Sequence, residues 1–239
     1  HKSSRGLGDV YKRQPLNGNI DLDTVKINLI SLTHSILEPN ALFIKYNNKN
    51  IFHTGDWKCD LNPLIGDNIN EKKLREIGDK GILAMICDST NIFTEGRSGS
   101  EKDVNESMLS IFQKQKKRII VTTFASNAAR MQTVFQCASK VGRHVSLVGR
   151  SMHRIFNTAK SCGYFSDINP PIDPRDANKM PRDKIVYLCT GSQGEPRGAM
   201  NRICNQDHPD VEITSDDTVI FSSRIIPGNE KKLYAMHNL

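Results

Sequence analysis

The feature that most constrains the fold is a regular alternation of strand-like and helix-like segments in the second half of the chain. Short apolar runs, typical of buried strands, alternate there with longer amphipathic segments, typical of helices. The predicted helices cover residues 104–115, 128–141, 152–162 and 198–204, and the predicted strands cover residues 119–123, 144–148, 185–189 and 218–221. Strands separated by helices indicate a mostly parallel sheet with helices on its faces, so the sequence predicts an α/β fold.

The first part of the chain has a different order, with several strands before a helix. The predicted segments are strands over 25–33, 41–46, 51–52 and 81–87, a helix over 71–77 and a loop over 91–100. The second and third strands are joined by a short polar turn, which predicts an antiparallel hairpin. The strand over 81–87 is continuously apolar and is predicted to be buried. We therefore expect one domain over residues 15–102 and a second over residues 103–239.

The first fourteen residues fit neither pattern. They lack an amphipathic period and an apolar core, and they resemble a translated library adaptor. We therefore interpret residues 1–14 as a non-native leader and exclude them from the fold prediction.

The composition is that of an ordinary globular protein, with 37% hydrophobic and 25% charged residues. The net charge is +7, and the leader holds four basic residues and one acidic residue, so the rest carries +4. That excess is compatible with an RNA partner and does not require one. Six cysteines without Cys-x-x-Cys spacing indicate reduced thiols and favour a cytoplasmic protein. Apolar runs are too short for a membrane-spanning helix.

Two polar residues follow predicted strands in the first part of the chain. His34 follows the strand over 25–33, and Asp56 closes the sequence His-Thr-Gly-Asp that begins at His53. An imidazole can bind one cation and a carboxylate can bridge two, so the pair is a candidate for a binuclear metal centre. The alternative is that His34 is a solvated loop histidine and that Asp56 is a turn former.

Small polar residues follow three predicted strands in the second part of the chain. The segments are 124–127, 191–194 and 222–224, and the first of them opens a helix whose free N–H groups could hold phosphate. Because the carboxyl ends of parallel strands meet at one edge of a sheet, we expect a groove suited to anions there. The alternative is that Gly, Ser and Asn only form tight turns and cap helices.

Seven motifs occur in the order seen in the bacterial ribonuclease J family, and the resemblance runs from about residue 16 to residue 239. The motifs are Thr33-His-Ser-Ile36, His53-Thr-Gly-Asp-Trp-Lys-Cys-Asp60, Cys87-Asp-Ser-Thr-Asn91, Thr123-Phe-Ala-Ser-Asn127, Gly149-Arg-Ser-Met152, Cys189-Thr-Gly-Ser-Gln-Gly-Glu-Pro196 and Phe221-Ser-Ser-Arg-Ile-Ile-Pro-Gly-Asn229. The resemblance implies a metallo-β-lactamase fold with an inserted β-CASP domain. Residues 15–102 would then be a partial metallo-β-lactamase domain, and residues 103–239 a truncated β-CASP domain.

The resemblance also implies roles for individual residues in a metal centre. His34 resembles a zinc ligand, and Asp56 resembles the aspartate that bridges two metals. Asp88 resembles a carboxylate that orients a metal-binding histidine supplied later in the chain. From the residues alone, the favoured role of Asp88 is that of a turn or helix cap. His53 is expected to be packed or hydrogen-bonded rather than a ligand.

For RNA, the resemblance implies Ser126 and Asn127 as phosphate contacts. It implies Arg150, Ser192 and Arg224 as further residues of an RNA groove. The two arginines could instead be surface ion-pair partners.

The family's His-x-His-x-Asp-His motif and its later His-Thr-Ser-Gly-His segment do not occur in the sequence. We therefore expect an internal fragment that binds metal weakly and is inactive by itself, whereas the complete site would hold two Zn²⁺ ions, with Mn²⁺ or Mg²⁺ as alternatives. The expected activity is hydrolysis of RNA phosphodiesters, 5′-to-3′ from a 5′-monophosphorylated single strand, with internal cleavage as an additional mode. The expected enzyme is cytoplasmic and forms homo-oligomers. Two alternatives remain: a non-catalytic β-CASP homologue that binds RNA, and a small-molecule hydrolase of the metallo-β-lactamase fold.

Overall fold

The computed structural model describes residues 18–96 and 98–239, so the predicted leader lies outside the described residues. The chain divides into two compact units between Lys102 and Asp103. Each unit has its own sheet, one with five strands and one with four. The assignment of the first unit to a metallo-β-lactamase domain stays a prediction.

The first unit is built on a sheet with the strand order β1-β2-β3-β4-β5. Its elements are β1 (Asn19–Leu22), β2 (Val25–Ser31), β3 (Asn40–Tyr46), β4 (Lys49–His53), α1 (Glu71–Gly78) and β5 (Ala84–Ile86). The first four strands are antiparallel neighbours, and β5 pairs with β4 in parallel. The predicted hairpin is confirmed as β3 and β4. Its turn places Asn47 in the left-handed region at φ 51°, which Asn tolerates better than most residues.

One face of this sheet packs against α1 around a small core. The buried apolar residues of the core are Ile30, Leu32, Ala41, Phe43, Phe52 and Ile77. The helix starts at a cap, because the Oδ1 atom of Asn70 accepts a hydrogen bond of 3.0 Å from the N–H of Lys73.

The prediction of a buried strand over residues 81–87 is wrong in both length and burial. The strand β5 contains only three residues, and Met85 and Ile86 are 58% and 54% exposed. It pairs with β4 on one side, and no other strand in the described part of the chain pairs with it. An apolar run predicts burial only if another element covers it, and that covering is not encoded in the run itself.

The second unit contains a fully parallel sheet with the strand order β7-β8-β6-β9. Its strands are β6 (Ile119–Thr122), β7 (His144–Val148), β8 (Ile185–Cys189) and β9 (Thr218–Phe221). Its helices are α2 (Glu101–Lys114), α3 (Ala128–Lys140), α4 (Arg150–Ser161), α5 (Pro174–Ala177), α6 (Ala199–Cys204) and α7 (Glu230–His237), together with a 3₁₀ turn at Arg182–Lys184. The predicted α/β fold with a parallel sheet is confirmed.

The two central strands of this sheet, β6 and β8, are buried at every residue. Strands covered on both faces must be apolar throughout, which explains why they appear in the sequence as uninterrupted runs. A buried ion pair lies at the amino ends of β6 and β9, where Arg118 donates to Asp217 and to the backbone oxygen of Glu212. None of the described helices is both long and apolar enough to cross a bilayer.

Candidate functional site

The three candidate residues of the first unit follow strands that run in the same direction. Because β3 is antiparallel to both of its neighbours, β2 and β4 are parallel to each other, and β5 is parallel to β4. His34, Asp56 and Asp88 come two or three residues after the ends of these three strands. The sheet therefore brings all three residues to one edge.

The loops that carry these residues are tied to one another by hydrogen bonds. The N–H of Lys58 donates to the backbone oxygen of Thr33 at 2.9 Å, and the hydroxyl of Thr33 donates to the backbone oxygen of Lys58. Between the loops after β4 and β5, the N–H of Thr54 donates to the backbone oxygen of Ile86 at 2.9 Å, and the N–H of Asp88 donates to the Oγ1 atom of Thr54 at 3.1 Å. The loops after β2, β4 and β5 are thus fixed side by side.

Asp88 is the most firmly held of the three residues. Its Oδ1 atom accepts bonds from the hydroxyl of Thr90 at 2.6 Å and from the N–H of Thr90 at 2.9 Å. These bonds, with a further one from the N–H of Trp57 and the nearby charge of His34, lower the pKa of the Asp88 carboxyl. The carboxylate is therefore ionised at neutral pH. Asp88 also has the alternative role of a turn cap, because its side chain accepts a hydrogen bond from the backbone N–H of Thr90, two residues later in the chain.

The two histidines of this edge differ in how their rings are bound. His34 is half-buried and its Nδ1 atom lies 3.3 Å from the Oγ atom of Ser35, while its Nε2 atom has no hydrogen-bond partner within residues 18–96. His53 accepts a 3.0 Å bond from the N–H of Gly55 through Nδ1, in agreement with the expected hydrogen-bonded role. Asp56 is exposed, and its carboxylate has no hydrogen bond or ion pair with any residue that the structure describes.

These residues do not by themselves form a metal centre. Within the described ranges, no group of three or more His, Cys, Asp or Glu side chains is arranged to hold an ion. A structural zinc site uses four ligands and a catalytic site at least three, so the donor set of this unit does not fit two zinc ions. The roles of His34 and Asp56 as ligands stay predictions.

In the second unit, the predicted residues also follow the carboxyl ends of parallel strands. Ser126 and Asn127 follow β6, Arg150 follows β7, Ser192 follows β8 and Arg224 follows β9. All four strands run in the same direction, so the five residues share one edge of this sheet.

Asn127 is the N-cap residue of α3, and the exposed Ser126 precedes it. The Oδ1 atom of Asn127 accepts a 2.7 Å bond from the N–H of Arg130, so this oxygen serves as a helix cap, as the alternative proposes. The side-chain NH₂ of Asn127 and the exposed hydroxyl of Ser126 have no described partner. These two donors lie at the positive end of a helix, where an anion is favoured.

Ser192 differs from the other predicted contacts because it is only 1% exposed and its Oγ atom is buried without a hydrogen-bond partner among the described residues. The loop after β8 folds tightly onto the start of α6. A Cβ atom on residue 198 would lie only 2.5 Å from the Cα atom of Gly191, which is a clash, so the backbones can approach this closely only with glycine at position 198. A ligand at the surface of this unit would therefore not reach Ser192, and its role stays a prediction.

The structure gives a central position to Gln193, which the sequence reasoning missed. Its side-chain NH₂ donates to the Oγ atom of Ser223 at 3.1 Å and to the backbone oxygen of Arg224 at 2.8 Å. Its Oε1 atom accepts a 2.9 Å bond from the N–H of Ile226. The loops after β8 and β9, which flank the loop of Ser126, are thereby joined by one buried side chain. The sequence signal that could have indicated this is a glutamine within the short Gly-rich segment 191–194, directly after an apolar strand.

The backbone of the loop after β9 is also bound from β6 and α3. Arg130 donates through Nη1 to the backbone oxygen and to the hydroxyl of Ser222, and Thr123 donates to the same backbone oxygen at 3.0 Å. Arg224 is exposed beyond this anchored segment.

Comparison with known proteins connects this geometry to one family. The family described as "Ribonuclease J, beta-CASP domain" matches residues 116–239, which is half of the chain. The ribonuclease J of Sinorhizobium meliloti is 41% identical over 219 residues, covering 92% of this chain and 39% of that protein. The ribonuclease J of Mycolicibacterium smegmatis is 38% identical over 207 residues, covering 86% of this chain and 37% of that protein.

A solved structure supports the fold alone. A protein of unknown function from Enterococcus faecalis V583 aligns with a TM-score of 0.53 at 16% identity, covering 92% of this chain and 58% of that one.

The chain spans less than half of the length of the two ribonuclease J proteins described above.

Proposed function

Because the chain belongs to the ribonuclease J family, we propose that it is part of a longer enzyme that hydrolyses phosphodiester bonds in RNA. The observation that supports this most directly is the common edge of β2, β4 and β5, where His34, Asp56 and Asp88 follow three strands of one direction. A hydrolytic centre needs acidic and imidazole groups converging at such a place. The family match over residues 116–239 favours this activity over that of a small-molecule hydrolase.

Within this proposal, the first unit contributes part of a metal centre. His34 and Asp56 would be ligands, and Asp88 would hold a further histidine in position through its ionised carboxylate. The cofactor would be two Zn²⁺ ions, or Mn²⁺ or Mg²⁺, which would supply Lewis acidity when bound. Since the described residues provide too few ligands, the remaining ligands would have to come from other parts of the longer protein.

The second unit would hold the RNA strand. Ser126 and Asn127 present hydrogen-bond donors at the start of α3, which suits a terminal 5′-phosphate. Exposed Arg150 and Arg224, on the same edge, would contact further phosphates. Ser192 is buried and would contact RNA only if the residues that bury it moved away. A 5′-phosphate site would favour 5′-to-3′ exonuclease action on monophosphorylated RNA, with endonuclease action as an additional mode.

The location and assembly of the enzyme belong to the same proposal. None of the six cysteines, all of them described, forms a disulfide, which suits the reducing environment of the cytoplasm. Homo-oligomerisation is proposed for the longer protein, through a C-terminal domain.

Assays of the longer protein on 5′-monophosphorylated RNA, with Zn²⁺ or Mn²⁺ added, test this function. Asp56→Ala should abolish nucleotide release, and Asp88→Asn should reduce it by about 10- to 100-fold because a group that orients a ligand is lost. Asp67→Asn, a change of an exposed carboxylate on the same unit, should leave the rate unaltered. No release by the wild type, or an unchanged rate in Asp56→Ala, would contradict the proposal. Tight RNA binding without release would favour the non-catalytic alternative.

A further inference from the structure

A groove of about 940 Å³ opens on the second unit beside the carboxyl ends of β7 and β8. Five arginines, two histidines and two aspartates provide the basic and acidic side chains of its lining. We call it the arginine groove, and its arginines are Arg150, Arg154, Arg175, Arg197 and Arg202. Of these five, only Arg150 is predicted from the sequence.

Two of these arginines are already paired with carboxylates. Arg175 donates through Nε and Nη2 to the two oxygens of Asp173, at 3.0 and 3.1 Å. Arg202 lies 3.5 Å from the carboxylate of Asp207. Arg150, Arg154 and Arg197 are exposed, and their side chains have no hydrogen bond or ion pair with any residue that the structure describes. The groove therefore holds three arginines without a paired carboxylate, against one further acidic side chain in its lining, Asp210.

The three unpaired arginines come from two separate elements. Arg150 and Arg154 are four residues apart on α4, so their side chains lie on one face of that helix. Like charges at this spacing repel each other, and an anion placed between them would relieve the repulsion. Arg197 comes from the loop before α6 and joins them because β7 and β8 are neighbours in the sheet. An anion in the groove could thus be contacted from both sides.

The lining also restricts the kind of anion. No Phe, Tyr or Trp is among the described residues that line the groove, so it lacks the large aromatic rings on which bases stack best, and the aromatic rings in its lining are the imidazoles of His153 and His208. Guanidinium groups bind phosphate oxygens in a bidentate manner, and a groove of this volume exceeds what one phosphate needs. These features suit a chain of phosphates rather than a base or a single ion.

We infer that the arginine groove binds the phosphodiester backbone of single-stranded RNA through Arg150, Arg154 and Arg197, without reading its sequence. The inference rests on the proposed function for the identity of the polyanion. Arg154 and Arg197 would thus be RNA contacts in addition to Arg150. They are distinct from Ser126 and Asn127, which are the proposed contacts of the terminal phosphate.

The test measures RNA binding by the 239-residue chain with fluorescence anisotropy. The probe is a labelled oligouridylate with a 5′-hydroxyl, so that no terminal phosphate contributes, and the KCl concentration is varied. The slope of the logarithm of affinity against the logarithm of salt concentration should fall by about 0.7 for each of Arg154→Gln and Arg197→Gln, and by about 1.4 for both together. An oligocytidylate of equal length should show the same losses.

The matched control is Lys160→Gln, which removes one exposed positive charge from the far end of the same helix. It should change the slope much less than Arg154→Gln. Circular dichroism of each variant should match the wild type, since the substituted side chains are exposed and unpaired.

Four outcomes would overturn the inference. They are no binding of the oligonucleotide, equal slopes for the wild type and the double variant, an equal loss in Lys160→Gln, and displacement of the probe by uridine monophosphate or inorganic phosphate as effectively as by RNA. The last would indicate a small-anion site. Hydrolysis by the longer protein is measured separately, so loss of the inference and loss of the proposed function remain distinguishable.

Discussion

The strands β5 and β8 are both short, apolar and paired in parallel, yet their surroundings are opposite. Every residue of β8 is buried between two neighbouring strands, whereas every residue of β5 is exposed beside a single one. The second unit therefore has a core closed on both faces of its sheet, and the first unit has an open apolar edge in the part of the chain that is described. The difference shows that apolar sequence reports a capacity for burial, and that neighbours decide whether it is realised.

The largest expected effect concerns the cysteines, because the exposed ones lie in the first unit and the buried ones lie in the second. Cys59 and Cys87 of the first unit are exposed, while Cys137 and Cys189 of the second are buried. Burial raises the pKa of Cys137 to about 11 and that of Cys189 to about 12. Since only the thiolate reacts, alkylation at pH 8 should be about a thousandfold slower or more at Cys189 than at an exposed thiol of ordinary pKa. Mass spectrometry of iodoacetamide-treated protein checks this, and comparable rates would mean that the second unit opens readily.

The buried ion pair of the second unit provides the next test. Asp217→Ala would leave Arg118 buried without its counter-ion and should destabilise the unit by about 3–5 kcal/mol. Asp216→Ala is the matched control, because its ion pair with Lys117 is exposed and 3.9 Å long, and it should cost about 1 kcal/mol or less. Urea denaturation measures both. Equal losses would mean that the core is not closed around Arg118.

A pair of core substitutions addresses β8 and β5 directly. Leu188→Ala would open a cavity at a residue with no exposed surface and should cost about 2–5 kcal/mol. Met85→Ala, at a residue that is 58% exposed, should cost about 0.5 kcal/mol or less. Hydrogen exchange of backbone amides in each sheet reports the two losses. A cost at Met85 that matches the cost at Leu188 would refute the contrast between the strands.

A smaller effect is expected where Gln193 joins two loops of the second unit. Gln193→Glu keeps the shape but removes the donors to Ser223 and Arg224, which should cost about 1–3 kcal/mol. Gln113→Glu on the exposed face of α2 is the control and should be nearly neutral. If the two variants unfold at the same urea concentration, the loops are held by other contacts.

The smallest effect lies at Asp88 in the first unit, where hydrogen bonds from Thr90 lower the carboxyl pKa. The lowered pKa means that this interaction stabilises the folded state fully above the ordinary value and that the contribution is lost as pH falls through the lowered pKa. A carboxyl titration by NMR should therefore find a midpoint below 3.8, and Thr90→Ala should raise it. Thr94→Ala in the same loop should not. An unaltered midpoint in Thr90→Ala would contradict the assigned cause.

Sequence reasoning succeeded where a physical pattern is local. The uninterrupted apolar runs of β6 and β8 and the helical period of α3 and α4 were sufficient to predict the parallel sheet of the second unit. The strand-end positions of His34, Asp56 and Asp88 also follow from local pattern, because polar residues directly after apolar runs must leave the sheet.

The remainder depends on contacts between distant residues. The burial of β5 was predicted wrongly because covering elements are not part of the strand. Gln193 gave no periodic signal, and its importance comes from partners 30 to 33 residues later in the chain. Arg154 and Arg197 line one groove because β8 pairs with β7, and that pairing joins residues about 40 positions apart in the chain.

The contact between Gly191 and Gly198 has an electrostatic consequence, although neither residue is charged. Any side chain at position 198 would clash with the backbone at Gly191, so the loop would have to move, and exposed Arg197 is the preceding residue in that loop. An uncharged substitution at Gly198 should therefore shift a guanidinium group, although the net charge of the protein stays the same.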